Sequence, residues 1–478
     1  MRRYCSNRPN FCFPLPWLGL DHWKTEDSMN IDSLDPNVFA PVSREAWLKL
    51  VDRALKGADY QEALVSRTDD GIAIEPLYAR RSDAAPFTRR QTDRPWVVSQ
   101  RMDDPDIERA FLQLGEDLAN GSNGVSLISK SSPSAFGIGL NNETGVLAAR
   151  LAAAVSGNSI SLRLDGLSPA FAAALAAALE KNQHRPTVHF GLDVFASSTT
   201  REMTGSFKRL HDAGFAGTVF NADGRAVHNA GGTEAQELAV MAAALVAHLK
   251  LLDDAGVAPE VTLNIASLCL SADQNQFVTM AKARAARMIF ARIAEVCGIS
   301  DPPVAHLYME TSYRMLTRLD PETNILRNTI AVFSAGTGGA DEISVLPHSL
   351  THGIPDPLAR RLARNMQTVL IAESHLDHVV DPAAGAGGIE ALTEALAEKA
   401  WEIFAGIERD GGLAKFIASG RLAAMVQEAR ANRVAKPIVG TTLFAMKAER
   451  PVPVLGELSP VAGGMGLMPV RLDEGAGA

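Results

Sequence analysis

The sequence predicts an α/β protein: a (β/α)8 TIM barrel preceded by a wrapping N-terminal arm and followed by C-terminal helices. Three observations carry this. From about residue 104, short β-branched runs alternate with long Ala/Leu-rich runs of helical character. Eight strand candidates recur at intervals of roughly 27–45 residues, the spacing expected of βα units whose parallel strands need a crossover helix. Eight is also the number that closes a barrel. After the first candidate the chain reads Ser129-Lys130-Ser131-Ser132-Pro133, which is not the Gly-rich loop of an open dinucleotide-binding sheet.

Residues 1–40 read as a leader. They hold Cys5, Cys12, Trp17 and Trp23, with Pro14 and Pro16 inside their apolar patch. A secretory signal needs a Pro-free apolar core and a small-residue cleavage site. The leader therefore reads as a disordered segment or as sequence upstream of a true start at Met29, and the second is preferred. Residues 41–96 read as an arm. Ser43 is placed to cap a helix over 43–60, with Ala46, Trp47, Leu50, Val51, Ala54 and Leu55 at helical spacing. A turn at 68–71 and an extended stretch at 72–78 follow. Residues 80–95 carry Arg80, Arg81, Arg89, Arg90 and Arg94, the pattern of a polar segment lying over another surface.

The barrel is expected over 97–388, with strands at 124–129, 159–164, 186–194, 215–220, 260–266, 304–310, 342–346 and 375–380. Helical runs at 105–118, 143–155, 169–179, 234–252, 273–296, 322–335 and 357–372 separate them. Residues 389–447 read as a closing helical segment and 448–478 as a Pro/Gly-rich tail, poorly ordered at its end.

Composition narrows the function. The net charge of −9 lacks the basic field a general nucleic-acid binder needs. Four Cys, none in a CxxC pair, suit reduced thiols in a cytoplasmic protein. No apolar run approaches the roughly 18 residues of a membrane span. Neither nucleic acid nor membrane is an expected partner.

Barrel chemistry sits at the C-terminal ends of strands. Ser129, Lys130, Asp165, Asp193, Asn221, Asp223, Ser267, Glu310, His348 and Asp381 occupy those places, a mixed set without a catalytic motif. No metal set is predicted. His348 and His352 sit in a loop with Gly353 and Pro355, and His375 and His378 point to opposite faces of a strand. The eighth strand candidate ends in Asp381-Pro382-Ala383-Ala384-Gly385-Ala386-Gly387-Gly388. That turn reads equally as a phosphate cradle opening a helix and as a tight turn needing positive φ.

Several strings, in order over residues 45–445, resemble the methylmalonyl-CoA mutase family. They include Leu55-Lys56-Gly57, Ser66-Arg67-Thr68-Asp69-Asp70-Gly71, Pro76-Leu77-Tyr78 and Arg94-Pro95-Trp96. Further along come Ala283-Arg284-Ala285-Ala286-Arg287, Glu310-Thr311-Ser312, Asn324-Ile325-Leu326-Arg327, Arg361-Leu362-Ala363-Arg364-Asn365 and Lys399-Ala400-Trp401. The resemblance implies a barrel whose arm wraps a partner subunit. It also implies adenosylcobalamin chemistry on a CoA thioester threaded along the barrel axis.

The departures from that pattern are equally specific. The family's Asp-x-His-x-x-G cobalt-ligand motif is missing: none of the eleven His follows an Asp by two residues. About 30 residues follow Lys447, fewer than the roughly 100 of a typical cobalamin-binding domain. Gln91 stands where the catalytic barrel carries a Tyr, and Arg225 and Ala226 stand for the Tyr-His of its Ser-Gly-Tyr-His motif. Ala226 donates no hydrogen bond to a thioester oxyanion; removing one such donor typically costs about 10²–10³ in rate. Tyr308 and Glu310 replace a catalytic His and Gln. The chain is thus most similar to the small (β) subunits of heterodimeric members, with no catalytic residue of its own. The expected partner is a large (α) subunit holding the adenosylcobalamin. The alternative is an acyl-CoA-binding barrel served by a cobalamin-binding subunit in trans. Arg80, Arg81, Arg89 and Arg90, with Gly385 and Gly387, would then meet the CoA phosphates.

Overall fold

The computed structural model describes residues 42–86, 94–141, 143–193, 195, 200–461 and 463–474. The expected leader, Met29 included, lies outside the described residues, as do residues 475–478. Two compact units divide at Ala63 and Leu64. The first contributes α1 (Arg44–Leu55), where Ser43 Oγ accepts the Ala46 N–H at 3.2 Å. Lys56 stops the helix in a left-handed conformation, φ 51°. Among the described residues α1 buries none of its side chains, and Leu50 is 56% exposed. A short helix, α2 (Tyr60–Leu64), follows.

The second unit opens with an antiparallel hairpin of β1 (Ser66–Arg67) and β2 (Ala73–Ile74). Then comes the barrel: β3 (Val97–Met102), α3 (Ile107–Ala119), β4 (Gly124–Ile128), α4 (Gly145–Ala154), β5 (Ser161–Asp165), α5 (Pro169–Leu179), β6 (Thr187–His189) and α6 (Thr200–Asp212). After β7 (Phe220–Asp223) stand α7 (Arg225–Asn229), α8 (Glu234–Asp253) and α9 (Pro259–Asn264). The circuit finishes with β8 (Ala266–Ala272), α10 (Gln276–Val296), β9 (His306–Thr311), α11 (Thr323–Thr337), β10 (Glu342–Ser344) and α12 (Pro357–Ala372). Outside it lie α13 (Gly387–Arg409), α14 (Leu413–Ala418) and α15 (Arg421–Asn432).

Strands β3–β10 form one parallel sheet in the order β6-β5-β4-β3-β10-β9-β8-β7. The remaining gap is bridged where Leu192 N–H donates to Val219 O at 2.9 Å and Asn221 N–H donates to Leu192 O at 3.0 Å. The sheet thereby closes into the expected (β/α)8 barrel. Outward strand residues such as Leu127, Leu162, Leu268, Leu307 and Ile343 are fully buried under the helices.

Three expected strands need correction and one barrel strand is missing from the expected set: 215–220 meets β7 only at Phe220, 260–266 meets β8 only at Ala266, and 375–380 is no strand. The first barrel strand is β3, which the polar Gln100 and Arg101 disguise in sequence. Trp96 anchors it: its Nε1–H donates to Gln367 Oε1 at 3.1 Å, and a Cβ on Gly336 would come within 2.7 Å of its ring. Residues 260–264 belong to α9, with Pro259 at its first turn, and the strand follows as the small-residue run Ala266–Ala272. Residues 375–380 are not a strand. The barrel is already closed through β3, and the chain turns after α12 with His375 at φ 54°. His375 and His378 consequently stack on each other, centroids 4.8 Å apart, instead of facing opposite ways.

Helix α8 is long and apolar enough to cross a membrane by length and composition, contrary to the sequence expectation, but 72% of that stretch is buried inside the protein. It packs against α13. His248, near its end, is fully buried on Phe220, centroids 4.8 Å apart, with neither ring nitrogen hydrogen-bonded among the described residues. Burial lowers its pKa to about 3. The unfolded chain, with a His pKa near 6.5, then binds more protons than the folded one between about pH 6.5 and 3. His248 stability is complete above that window and is lost on acidification, at about 1.4 kcal/mol per pH unit. Replacing His248→Leu is expected to flatten the plot of urea-unfolding free energy against pH between 6.5 and 4. An unchanged slope would refute this account.

Candidate functional site

Inward-facing strand positions of a TIM barrel normally hold branched apolar side chains. Here they are polar and charged. On β5, Arg163 crosses the interior: its Nε donates to Glu342 of β10 at 3.2 Å, and its Nη atoms reach Asn221 of β7 and Ser267 of β8, both at 3.2 Å. Contacts from one strand to three non-neighbours can only run through the axis. Tyr308 of β9 lies between two guanidinium groups, 4.1 Å from Arg163 and 5.2 Å from Arg225 measured at the ring centroid. Stacking of this kind is favourable where water is excluded.

The C-terminal half of the axis is a second knot. Arg101 Nε binds Asp103 at 2.8 Å, and its Nη1 binds Glu310 at 2.5 Å. Arg225 reaches Asp165 at 2.8 Å, Asp223 at 2.5 Å and Glu310 at 3.4 Å. Burial works against its charge, but Asp165, Asp223 and Glu310 outweigh it and leave the Arg225 guanidinium more firmly charged than usual. Burial pushes the Asp165 carboxyl up, but Arg225 and Ser132 outweigh it and hold its pKa below the usual value. Glu310 is raised, chiefly by burial, despite Arg101 and Arg225. Burial also lifts the Cys269 thiol to about 12, so it is not a nucleophile near neutral pH. Above the knot, Phe136 stacks on Tyr313 at 4.4 Å and 3°.

The mouth itself is strapped. Tail residue Val454 bridges to Pro355, Ser459 N–H donates to Gly137 O, Val470 N–H to Asn229 O and Leu472 N–H to Arg314 O. The tail thus visits the loops after β4, β7, β9 and β10. Gly464 allows one close approach: a Cβ there would lie 2.5 Å from Pro133. Leu467 is 5% exposed beneath this crossing.

The residues singled out in the sequence divide between the axis and the exterior. Arg225, Tyr308 and Glu310 join the axial network, with Asp165, Asn221 and Asp223. Ala226 lies beneath the strap, where a Cβ added to Gly464 would touch it. Gln91, Arg89 and Arg90 are outside the described residues. Arg80 is exposed, whereas Arg81 pairs with Glu394 at 3.1 Å. Arg81 N–H does meet Gly385 O at 3.1 Å, but Gly385 N–H donates to Glu390 Oε1 at 3.0 Å, and a Cβ on Gly387 would clash with Ala79 O. The turn follows α12 and not a barrel strand, and carboxylates already take the donors a phosphate would use. It seats the arm segment 78–81 on α13. Asp381 anchors it from outside the barrel by an ion pair to Arg284. His352 Nε2 meets Arg318 O at 2.7 Å in its loop.

Among the described residues, two groups of side chains have metal-ligand types close together. Around His228, Glu234 and Asp273, Lys282 binds Glu234 and Glu237, and Arg314 binds Glu234 at 2.9 Å and Asp273 at 3.1 Å. Protein cations fill that place. His228 spends its Nε2 on Ser312 Oγ at 2.8 Å, so it does not stand in for a thioester-binding His. The other group, His189, His306 and Glu342, closes the opposite end of the barrel.

Sequence reasoning missed Arg101, Arg163 and Glu342 as site residues. Their signal is alternation: Ser99-x-Arg101-x-Asp103, Ser161-x-Arg163-x-Asp165, His306-x-Tyr308-x-Glu310 and Glu342-x-Ser344 put one polar face inward on four strands.

Two outcomes test this arrangement. Removing one partner of a buried ion network costs about 3–5 kcal/mol. Arg225→Met is expected to lose that much in urea unfolding at pH 7, and less at pH 5, where the stranded carboxyls take up protons. Gly464→Val is expected to lift the strap off Pro133 and speed tryptic cleavage at Lys447 and Arg471, with the barrel left resistant.

Sequence comparison places this geometry in a family. A family model described as methylmalonyl-CoA mutase matches residues 217–456. The chain is 34% identical to the methylmalonyl-CoA mutase small subunit of Streptomyces virginiae, over 91% of this chain and 75% of that protein. It is 35% identical to the probable methylmalonyl-CoA mutase small subunit of Mycobacterium bovis, over 80% of this chain and 65% of that one, just under two thirds of its length. Identity to the methylmalonyl-CoA mutase of Cereibacter sphaeroides is 26%, over 86% of this chain and 65% of that protein. An eight-stranded parallel barrel, a family match over half the chain and a third of residues shared with relatives along most of its length lead to one assignment: the chain belongs to the methylmalonyl-CoA mutase family.

Proposed function

We propose that this chain is a non-catalytic, small-subunit-like barrel that pairs with and stabilises a catalytic methylmalonyl-CoA mutase chain in the cytoplasm. The pair interconverts methylmalonyl-CoA and succinyl-CoA, with adenosylcobalamin held by the partner. The observation that carries this reading is the filled axis. A substrate threaded along it would have to displace Arg163, Tyr308 and the Arg101–Glu310–Arg225 knot, whose charged groups are 0–3% exposed. Each displaced charge would lose its partners away from water, at several kcal/mol per ion. The strap adds a second obstruction at the mouth. The same packing counts against the barrel binding acyl-CoA for a cobalamin protein in trans.

The relatives named small subunits support a partner, and the unburied apolar face of α1 offers one place to meet it. Co-expression with a large subunit is expected to give a co-purifying pair that turns over methylmalonyl-CoA when adenosylcobalamin is added. Tyr308→Phe in this chain should leave the pair's kcat and KM unchanged. A fall in kcat with that variant, or turnover by this chain with a free-standing cobalamin protein alone, would overturn the proposal.

A further inference from the structure

The outer wall of the barrel is unevenly charged. Helix α3 shows water the charged side chains of Glu108 and Glu116, and α10 shows Arg292 and Glu295, the usual polar face of a surface helix. Helix α11 shows none. Arg327 is the one charged residue in Thr323–Thr337, and it turns inward: its Nη1 donates to Asn324 Oδ1 at 2.7 Å and its Nη2 to Val439 O at 2.6 Å. The stripe that faces out carries Leu326, Ile330 and the half-buried Phe333, at i, i+4 and i+7. Helix α12 packs beside it and carries Leu362, Met366 and Val369 at the same spacing. From Asn365 to Ala372 it has no charge either. Leu326, Ile330 and Val369 are 41–65% exposed.

The hydroxyls on this wall are spent on their own helices. Thr329 Oγ1 donates to Ile325 O at 2.8 Å, and Thr368 Oγ1 to Arg364 O at 3.4 Å. Hydroxyls bonded back in this way ask little of water, so covering the wall strands neither donor. Asn365 faces elsewhere, into a groove toward α3 that it lines with Asn120 and Arg361. Charges return at the edges: Glu322 and Arg361 lie ahead of the wall and Glu373 behind it, all exposed. An apolar centre inside a charged rim is the layout of a protein interface. The six apolar side chains and the small residues between them expose on the order of 500 Å², near the upper end of the largest patch a monomer leaves open. That is well over half of one partner's share of a stable interface, about 800 Å².

We propose that the α11–α12 wall is the surface on which the catalytic large subunit rests, through an apolar, charge-poor face of its own. The inference builds on the reading of this chain as a small-subunit-like barrel. A surface with so little use for water calls for a permanent cover, and under that reading the permanent companion is the large subunit, not a second copy. The full chain is co-expressed with a large subunit, and pairing is measured by analytical ultracentrifugation. Ile330→Glu and Val369→Glu place charges where the free chain meets water, so its circular dichroism and thermal midpoint should stay unchanged. Each should weaken the pair by about 30-fold or more, the scale of an interface hot spot. Leu112→Glu, at a still more exposed leucine on α3, should leave the pair intact. Hydrogen exchange needs no variant: peptides covering 325–337 and 362–372 should exchange more slowly in the wild-type pair than in the chain alone. Undiminished pairing by the folded double variant, or exchange there unchanged by pairing, would overturn the wall and leave the small-subunit reading standing. A wild-type chain that forms no pair would overturn that reading and this inference with it. Self-association that Ile330→Glu abolishes would overturn the choice of occupant.

Discussion

A guanidinium taken out of water must be met by carboxylates, and three guanidinium groups lie inside this barrel. Arg101, Arg163 and Arg225 project from β3, β5 and the first residue of α7, while Glu310, Glu342 and Asp165 answer them from β9, β10 and β5. Each pair therefore ties together elements far apart in sequence. Strand register is fixed accordingly: sliding a strand by one residue would turn its charged set into the apolar layer under the helices and leave the partners buried and unpaired. An apolar interior of the same volume could be as stable or more so. What the charged interior adds is specificity, since few other arrangements pair every group.

The same constraint explains which parts of the molecule could be read from sequence. Helices such as α3, α5 and α12 were legible because their caps, Asp106, Ser168 and Asp356, and their apolar spacing act locally. The (β/α)8 count was legible because βα alternation is local too. The identity of the first and last strands was not. β3 carries Gln100 and Arg101, and a strand facing a charged axis does not look β-branched. Residues 375–380 look like a strand in composition, and only closure of the ring denies them a place in it. The candidate site behaved likewise. Arg225, Tyr308 and Glu310 could be singled out one at a time by resemblance, but that they join Arg163 and Glu342 in a single network is a property of the closed barrel. That Gly464 of the Pro/Gly-rich tail lets the backbone approach Pro133 closely, where a Cβ would meet it at 2.5 Å, was not legible in the sequence either.

Under the proposed function, the filled axis and the strapped mouth also bear on what a barrel needs when it does no chemistry. An open channel in an unliganded barrel exposes the polar inner ends of eight strands to water, and its stability then leans on whatever occupies it. Here the occupant is built in. Arg163, Tyr308 and Arg225 supply the volume and the counter-charge, Phe136 and Tyr313 cap them, and residues 454–472 cover the cap. Under the proposed function this is consistent with a subunit whose contribution lies on its outer surface. The charge network then keeps that surface rigid without depending on substrate, and changes within the axis are expected to register in stability before they register in turnover.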